Sequence, residues 1–156
     1  MPATTPQDIE DFLGQRRLAV IGVSRTPSDF SRLLLRELLH RGYDVVPVHP
    51  SADEIEGRNC FGRVQDVFPR VTAALLLTAP DVTEHVVRDC AEAGITHIWM
   101  HRGGGTGSVS QEAVAFCQKN GMKIVAGFCP HMFLPNTARF HRFHGWLLKL
   151  TGRYPK

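Results

Sequence analysis

The sequence predicts an α/β protein built on a doubly wound parallel sheet of about five strands. Three observations predict it. Five short apolar runs alternate with amphipathic helical stretches along the chain. Most of these runs are nearly continuous in apolar residues rather than alternating, which is how strands buried on both faces read. A glycine stands just past each of three helical stretches, the expected C-terminal punctuation of a helix.

The elements follow in order. The first run is Leu18–Val23, and a loop over 22–31 leaves it. Ser28 is the expected N-cap of the helix that follows. Leu34, Leu35, Leu38 and Leu39 share one face of that helix, which stops near Gly42. The second run is Asp44–Val48. The connection over 49–71 is irregular, with at most a turn of helix around Val64–Phe68. The third run is Thr72–Thr78. A second helix repeats the pattern at Val82, Val86, Val87 and Cys90 and stops near Gly94. The fourth run, Thr96–Met100, leads into a glycine-rich loop. A third helix carries Val109, Ala113, Phe116 and Cys117 and stops near Gly121, and Met122–Ala126 is the fifth run. Crossovers between parallel strands are right-handed. With the winding reversed at the third connection, the expected spatial order is 3-2-1-4-5. Residues 1–136 are expected to form one domain and 137–156 a C-terminal basic amphipathic helix.

Composition agrees with this class and excludes others. Of 156 residues, 43% are apolar and 21% charged, which is enough apolar material for a core and argues against disorder. No run of about 18 uncharged apolar residues exists, so no transmembrane helix is predicted. The opening MPATTPQDIEDF has no apolar core, so no secretory signal is expected. Four cysteines, Cys60, Cys90, Cys117 and Cys129, contain no CxxC pair. Reduced thiols and a cytoplasmic location are the simplest expectation. Charge is split along the chain. Residues 1–112 hold 11 Lys+Arg against 15 Asp+Glu, whereas 113–156 hold 7 Lys+Arg and no acid. That split fits an anionic partner for the C-terminal part, or a basic surface docked on the protein's own acidic body.

Two loops point at phosphates. Ligands of open parallel sheets bind at the carboxyl ends of the strands where the winding reverses. The expected order puts that crevice between the first and fourth strands. The loop after the first strand reads GVSRTPSDFS over 22–31. Gly22 allows a tight turn, Ser24 offers a hydroxyl, and Arg25 offers a fork of donors suited to phosphate. The loop is neither GxGxxG nor a Walker A motif. The loop after the fourth strand reads HRGGGTGS over 101–108, with Gly103, Gly104, Gly105 and Gly107. Ser108 and Gln111 have capping-box spacing, so a helix is expected to begin there. An NAD-gripping fold needs an acid at the end of its second strand. Here that strand ends Val48-His49-Pro50, and Asp53 comes too late.

Together these residues resemble the CoA-binding domain family, whose members have a Rossmann-like fold. The resemblance rests on Gly22-Val-Ser-Arg25, on Gly42-Tyr-Asp-Val-Val-Pro-Val-His-Pro50, on Gly57, on Thr78-Ala-Pro80, on Trp99-Met-His-Arg-Gly103 and on Cys129, over about 15–130. Three departures fall at the crevice. Ser31 or its neighbour stands where the family often has glycine, His49 where it has Asn, and His101 where it has Gln. The resemblance implies coenzyme A or an acyl-CoA as ligand. It implies binding residues Gly22, Val23, Ser24, Arg25, Ser31, His49, Pro50, Thr78, Pro80, His101, Gly103 and Gly104. No nucleophile–base pair or paired carboxylates stand out, so no catalysis is expected. The alternative is an enzyme with an NAD(P)-type nucleotide cofactor, or a redox protein, using His101 or Cys129.

Eight histidines raise the question of a metal. Cys129, His131, His141 and His144 would have to converge, and their CxH and HxxH spacings match no strong zinc pattern, so no metal site is expected. In the tail, Phe140, Phe143, Leu147 and Leu150 lie on one helical face, flanked by Arg139, Arg142 and Lys149. Packing on the protein's own sheet or on a second subunit is expected, the latter giving a homodimer. A membrane surface or an acidic partner is the other reading. A small nucleotide ligand is expected as partner, and nucleic acid is not.

Overall fold

The computed structural model describes residues 4–103, 105 and 107–134. Its first element was not foreseen. Helix α1, Pro6–Leu13, opens with a capping box in which Thr5 and Asp8 exchange side-chain and backbone hydrogen bonds, and Pro6 occupies the first turn. Ile9 and Phe12 are its buried residues. Phe12 meets Trp99 edge-on, with ring centroids 5.3 Å apart.

Five strands form the sheet: β1 (Arg17–Ile21), β2 (Asp44–Val48), β5 (Ala73–Leu76), β6 (His97–His101) and β7 (Lys123–Phe128). A separate two-stranded hairpin, β3 (Glu54–Ile55) with β4 (Arg58–Asn59), lies in the second connection. All neighbours in the large sheet are parallel. Helices α2 (Phe30–His40), α3 (Pro80–Glu92) and α4 (Gln111–Lys119) complete the described elements, with 3-10 turns at Val64–Asp66 and Pro130–Met132. Glycines with positive φ follow the last three helices, at Gly42, Gly94 and Gly121. Two capping expectations shift slightly. Asp29, not Ser28, caps α2, and Ser110, not Ser108, caps α4.

Strand order is where the structure corrects the sequence reading. The sheet runs β2-β1-β5-β6-β7, so by sequence rank it is 2-1-3-4-5 and not 3-2-1-4-5. The second connection is responsible. Its residues Val64, Val67 and Val71 are buried in one cluster with Ala19 and Ile21 of β1 and Val46 and Val48 of β2. It therefore crosses one face of both strands and delivers β5 to the far side of β1. β2 is left at the edge of the large sheet, which suits Pro47, since proline has no N–H to donate to a ladder. Winding thus reverses between β1 and β5.

The core has two layers. On one face Leu34, Leu35 and Leu38 of α2 and Ile9 and Phe12 of α1 pack on Leu18, Val20, Val45, Leu75 and Trp99. On the other, Val87 and Cys90 of α3 and Ala113, Val114 and Cys117 of α4 join the valines of the second connection. Burying each Leu or Val of these layers contributes about 1.5–3 kcal/mol. The four cysteines are unbonded. Among the described residues no helix is long and apolar enough to cross a membrane.

Candidate functional site

The reversal places the loops leaving β1 and β5 side by side. Gly22 makes this approach possible. Its φ is +96°, and a Cβ there would lie 2.9 Å from the carbonyl carbon of Leu77 and 3.0 Å from the nitrogen of Thr78. Any side chain at 22 would push the two loops apart. Val23 next to it is a core residue, 1% exposed, so only its backbone can face a ligand.

Beyond Val23 the loop is held from within. The Ser24 amide donates to Ser31 Oγ at 2.9 Å, and Ser24 Oγ accepts from the Thr26 amide at 3.0 Å. Ser31 Oγ in turn donates to Asp29 Oδ1 at 2.6 Å. Ser31 is thus a buried brace for the loop, its hydroxyl already engaged. Its hydroxyl and amide together hold the Asp29 carboxyl below the usual range. The N-terminus of α2 is therefore occupied by a carboxylate, and an anion approaching it meets like charge. Cationic reach in this loop falls to Arg25, whose side chain is exposed.

Opposite, Thr78 Oγ1 pairs with Thr83 Oγ1 at 2.7 Å, and Pro80 opens α3. Ala79, the N-cap, gives α3 no side-chain cap. The positive end of a 13-residue helix dipole therefore opens at the carboxyl end of β5, beside the Gly22 loop. His49 and Pro50 leave the edge strand β2. The Ser51 amide donates to His49 Nδ1 at 3.0 Å, so the neutral ring carries its proton on Nε2.

The fourth-strand loop is not adjacent to β1, because β5 stands between them. It reaches the crevice by leaning over the end of β5. Ser108, almost wholly buried, donates its hydroxyl to the Leu76 carbonyl at 2.9 Å, and its amide donates to the His101 carbonyl at 2.7 Å. Gly107 is obligatory here, with φ +64° and a Cβ position that runs into the His101 carbonyl and lies 2.7 Å from Arg102 Cα. Gly103 is roomier, since a Cβ would touch only the His101 ring at 3.5 Å. Gly104 lies outside the described residues.

His101 brings in two residues the sequence reading missed as site neighbours. Its ring lies 5.4 Å from that of Phe30, which stands 6.0 Å from His131. Phe30 is 41% exposed, unusual for a phenylalanine at a helix start, and its side chain bridges the β1 and β6 loops. The signal in the sequence was an apolar residue directly after the capping Asp29. His101 Nε2 is buried without a hydrogen-bond partner among the described residues. Burial, with His131 beside it, pushes the ring pKa down to about 4. At neutral pH the imidazole is an uncharged donor and acceptor.

Cys129 is 5% exposed, and burial pushes its thiol up to about 11 despite a hydrogen bond from the His131 backbone. A protonated, covered thiol is a poor nucleophile. Among the described residues no three His, Cys, Asp or Glu side chains gather as a metal site; His141 and His144 lie outside them. His97, on the same strand as His101, sits at its far end beside Lys123 and Asp11. Two shallow concavities of about 260 and 220 Å3 lie at the β2 and β7 edges, away from this crevice.

Residues 16–135 match the family described as CoA binding domain. The chain belongs to the CoA-binding domain family. Relatives agree with that placement. A hypothetical protein from Pyrococcus horikoshii is 28% identical with a TM-score of 0.73, covering 83% of this chain and 94% of that one. An acetate–CoA ligase (ADP-forming) of Methanocaldococcus jannaschii is 26% identical over 80 residues, which are 51% of this chain and only 11% of the ligase. The dinucleotide-forming acetyl-coenzyme A synthetase 1 of Ca. Korarchaeum cryptofilum, in its apo form, is 30% identical with a TM-score of 0.63, covering 72% of this chain and 26% of that one. This CoA-binding domain thus resembles both a stand-alone protein of similar size and one part of much larger synthetases.

Proposed function

We propose that this protein binds coenzyme A or an acyl-CoA in the crevice between the loops leaving β1 and β5, without catalysis of its own. The observation that carries the reading is the contact of those two loops through Gly22, in a chain of the CoA-binding domain family. The pyrophosphate would rest on the Gly22–Arg25 backbone and the uncapped first turn of α3, Arg25 supplying the cation. Gly103 and Gly104 would close from the β6 side. His101, neutral and with its Nε2 unpartnered among the described residues, would exchange a hydrogen bond with the ligand. Ser31 would serve by bracing the loop, and His49 and Pro50 would flank the β2 side. A phosphate ester ligand and reduced thiols fit a cytoplasmic protein.

A ligand panel tests this. CoA, acetyl-CoA, NAD, NADP and ATP are titrated by calorimetry and thermal shift against wild type and Arg25→Ala. CoA at 100 times its dissociation constant is expected to stabilise the wild type by about 2.7 kcal/mol. Losing Arg25 is expected to weaken binding by about 1.5–3 kcal/mol with the melting point of the free protein unchanged. A shift with NAD and none with CoA would reject the reading.

A further inference from the structure

The hairpin β3–β4 turns through Glu56 and Gly57, both at positive φ, +52° and +72°. Two successive positive φ values at the centre of a two-residue hairpin turn define a type I′ turn, which favours Asn-Gly. Glutamate is a poor choice by backbone preference, because its Cβ resists that conformation. Its side chain has other work. One oxygen, Oε1, accepts from Arg32 Nε at 2.8 Å and lies 2.6 Å from Arg32 Nη2. The same oxygen accepts from Arg36 Nε at 3.0 Å and lies 2.9 Å from Arg36 Nη2. Arg32 and Arg36 stand four residues apart, on one face of α2.

The two guanidiniums carry the connection onward. Arg32 Nη1 donates to the Arg25 carbonyl at 3.2 Å and, more weakly, to the Ser24 carbonyl at 3.4 Å. Arg36 Nη2 donates to the Pro27 carbonyl at 2.9 Å. A carboxylate some thirty residues downstream in the chain thus fixes three carbonyls of the loop that leaves β1. The Arg32 and Glu56 side chains are only 12% and 18% exposed, so solvent screens this pair less than a surface ion pair. Without Glu56 the two arginines would repel each other and lose their common anchor.

We propose that Glu56 is a positioning residue for ligand binding: through Arg32 and Arg36 it holds the Ser24–Pro27 segment in its binding-competent shape. The inference rests on the proposed CoA site but concerns a clamp that exists without ligand. It explains why a glutamate occupies a turn position better suited to asparagine.

The test uses the full chain and two variants. Glu56→Asn suits the I′ turn but is too short to bridge both arginines; Glu56→Gln keeps the length and removes the charge. Amide hydrogen exchange in the free protein reads the clamp through the loop it holds, where the Ser24 and Thr26 amides are bonded to Ser31 and Ser24 side chains. In Glu56→Asn, exchange at residues 24–26 is expected to rise about tenfold while the melting point holds or increases, with the smaller change in Glu56→Gln. If the competent shape falls to about a tenth of the population, CoA affinity falls about tenfold. Unchanged exchange at 24–26 in both variants overturns the clamp, whatever CoA does. Tighter CoA binding in Glu56→Asn also overturns it, since the carboxylate would then be competing with the ligand for the arginines. A wild type that ignores CoA rejects the proposed ligand alone, and the exchange data still decide the clamp.

Discussion

The imidazole of His101 is a buried base with no partner for its Nε2 among the described residues, and its pKa is pushed down to about 4 by burial and by His131. An unfolded histidine titrates near 6.5. Between those two values the unfolded chain takes up a proton that the folded protein refuses. Stability is therefore fully present above about pH 6.5 and falls as the pH drops toward 4. His101→Gln, which installs the residue expected from the family resemblance, removes that proton uptake. The variant is expected to lose less melting temperature than wild type between pH 7 and pH 4.5. Parallel melting curves for the two proteins across that range would show His101 exposed and ordinary. Acidic groups with depressed values, such as Asp29, shed their own contribution only at lower pH, so the comparison isolates the imidazole.

At the scale of elements, the glycine loop after β6 separates two roles that the sequence shows as one string. HRGGGTGS reads as four equivalent glycines, yet Gly107 is tied to backbone geometry and Gly103 is not. Gly107→Ala is expected to cost about 1–3 kcal/mol of stability, from a strained φ and a collision with the His101 carbonyl. Gly103→Val is expected to leave the melting point almost unchanged and to abolish CoA binding, because its side chain would fill the space facing the ligand. Thermal melts and CoA titrations of both variants check this; equal affinities for Gly103→Val and wild type would take the loop out of the site. Other elements were more or less legible for similar reasons. The five strands and the helices α2, α3 and α4 announce themselves through apolar periodicity, which needs no knowledge of partners. Helix α1 did not, although Thr5-Pro-Gln-Asp8 is a capping box followed by Ile9 and Phe12 at helical spacing. The hairpin β3–β4 is two residues per strand, too short for any period to show. Ser31 is named as a binding residue only through the family resemblance, where it stands at a position that often holds glycine, so the sequence carries no sign of its role as a loop brace. Only the distances to Asp29 and Ser24 reveal that it is engaged.

For the whole molecule, the strand order decides where the crevice lies, and the clue was one residue. Pro47 interrupts the second apolar run, and proline belongs at a sheet edge. The order 3-2-1-4-5 would have put that strand inside, whereas 2-1-3-4-5 leaves it outermost. The loops after β1 and β6 still converge, because Phe30 and Ser108 span the end of β5. Both faces of this sheet are covered by described residues: α1 and α2 on one side, the second connection, α3 and α4 on the other. The sheet therefore does not need residues 137–156 to close its core, which bears on what the basic tail is for. Residues 113–156 hold 7 Lys+Arg and no acid, while 1–112 carry an excess of acid, 15 against 11. Residues 137–156 lie outside the described residues; at helical spacing Phe140, Phe143, Leu147 and Leu150 would share an apolar face flanked by that charge. Such a tail would complement the acidic body of a second copy in charge. Ending the chain at Asn136 is expected to convert a dimer to a monomer with only a modest loss of melting temperature. Light scattering on the full and shortened chains measures the first, calorimetry the second. Identical monomeric masses for both would reject the dimer, and loss of binding to anionic vesicles on shortening would assign the tail to a membrane surface instead.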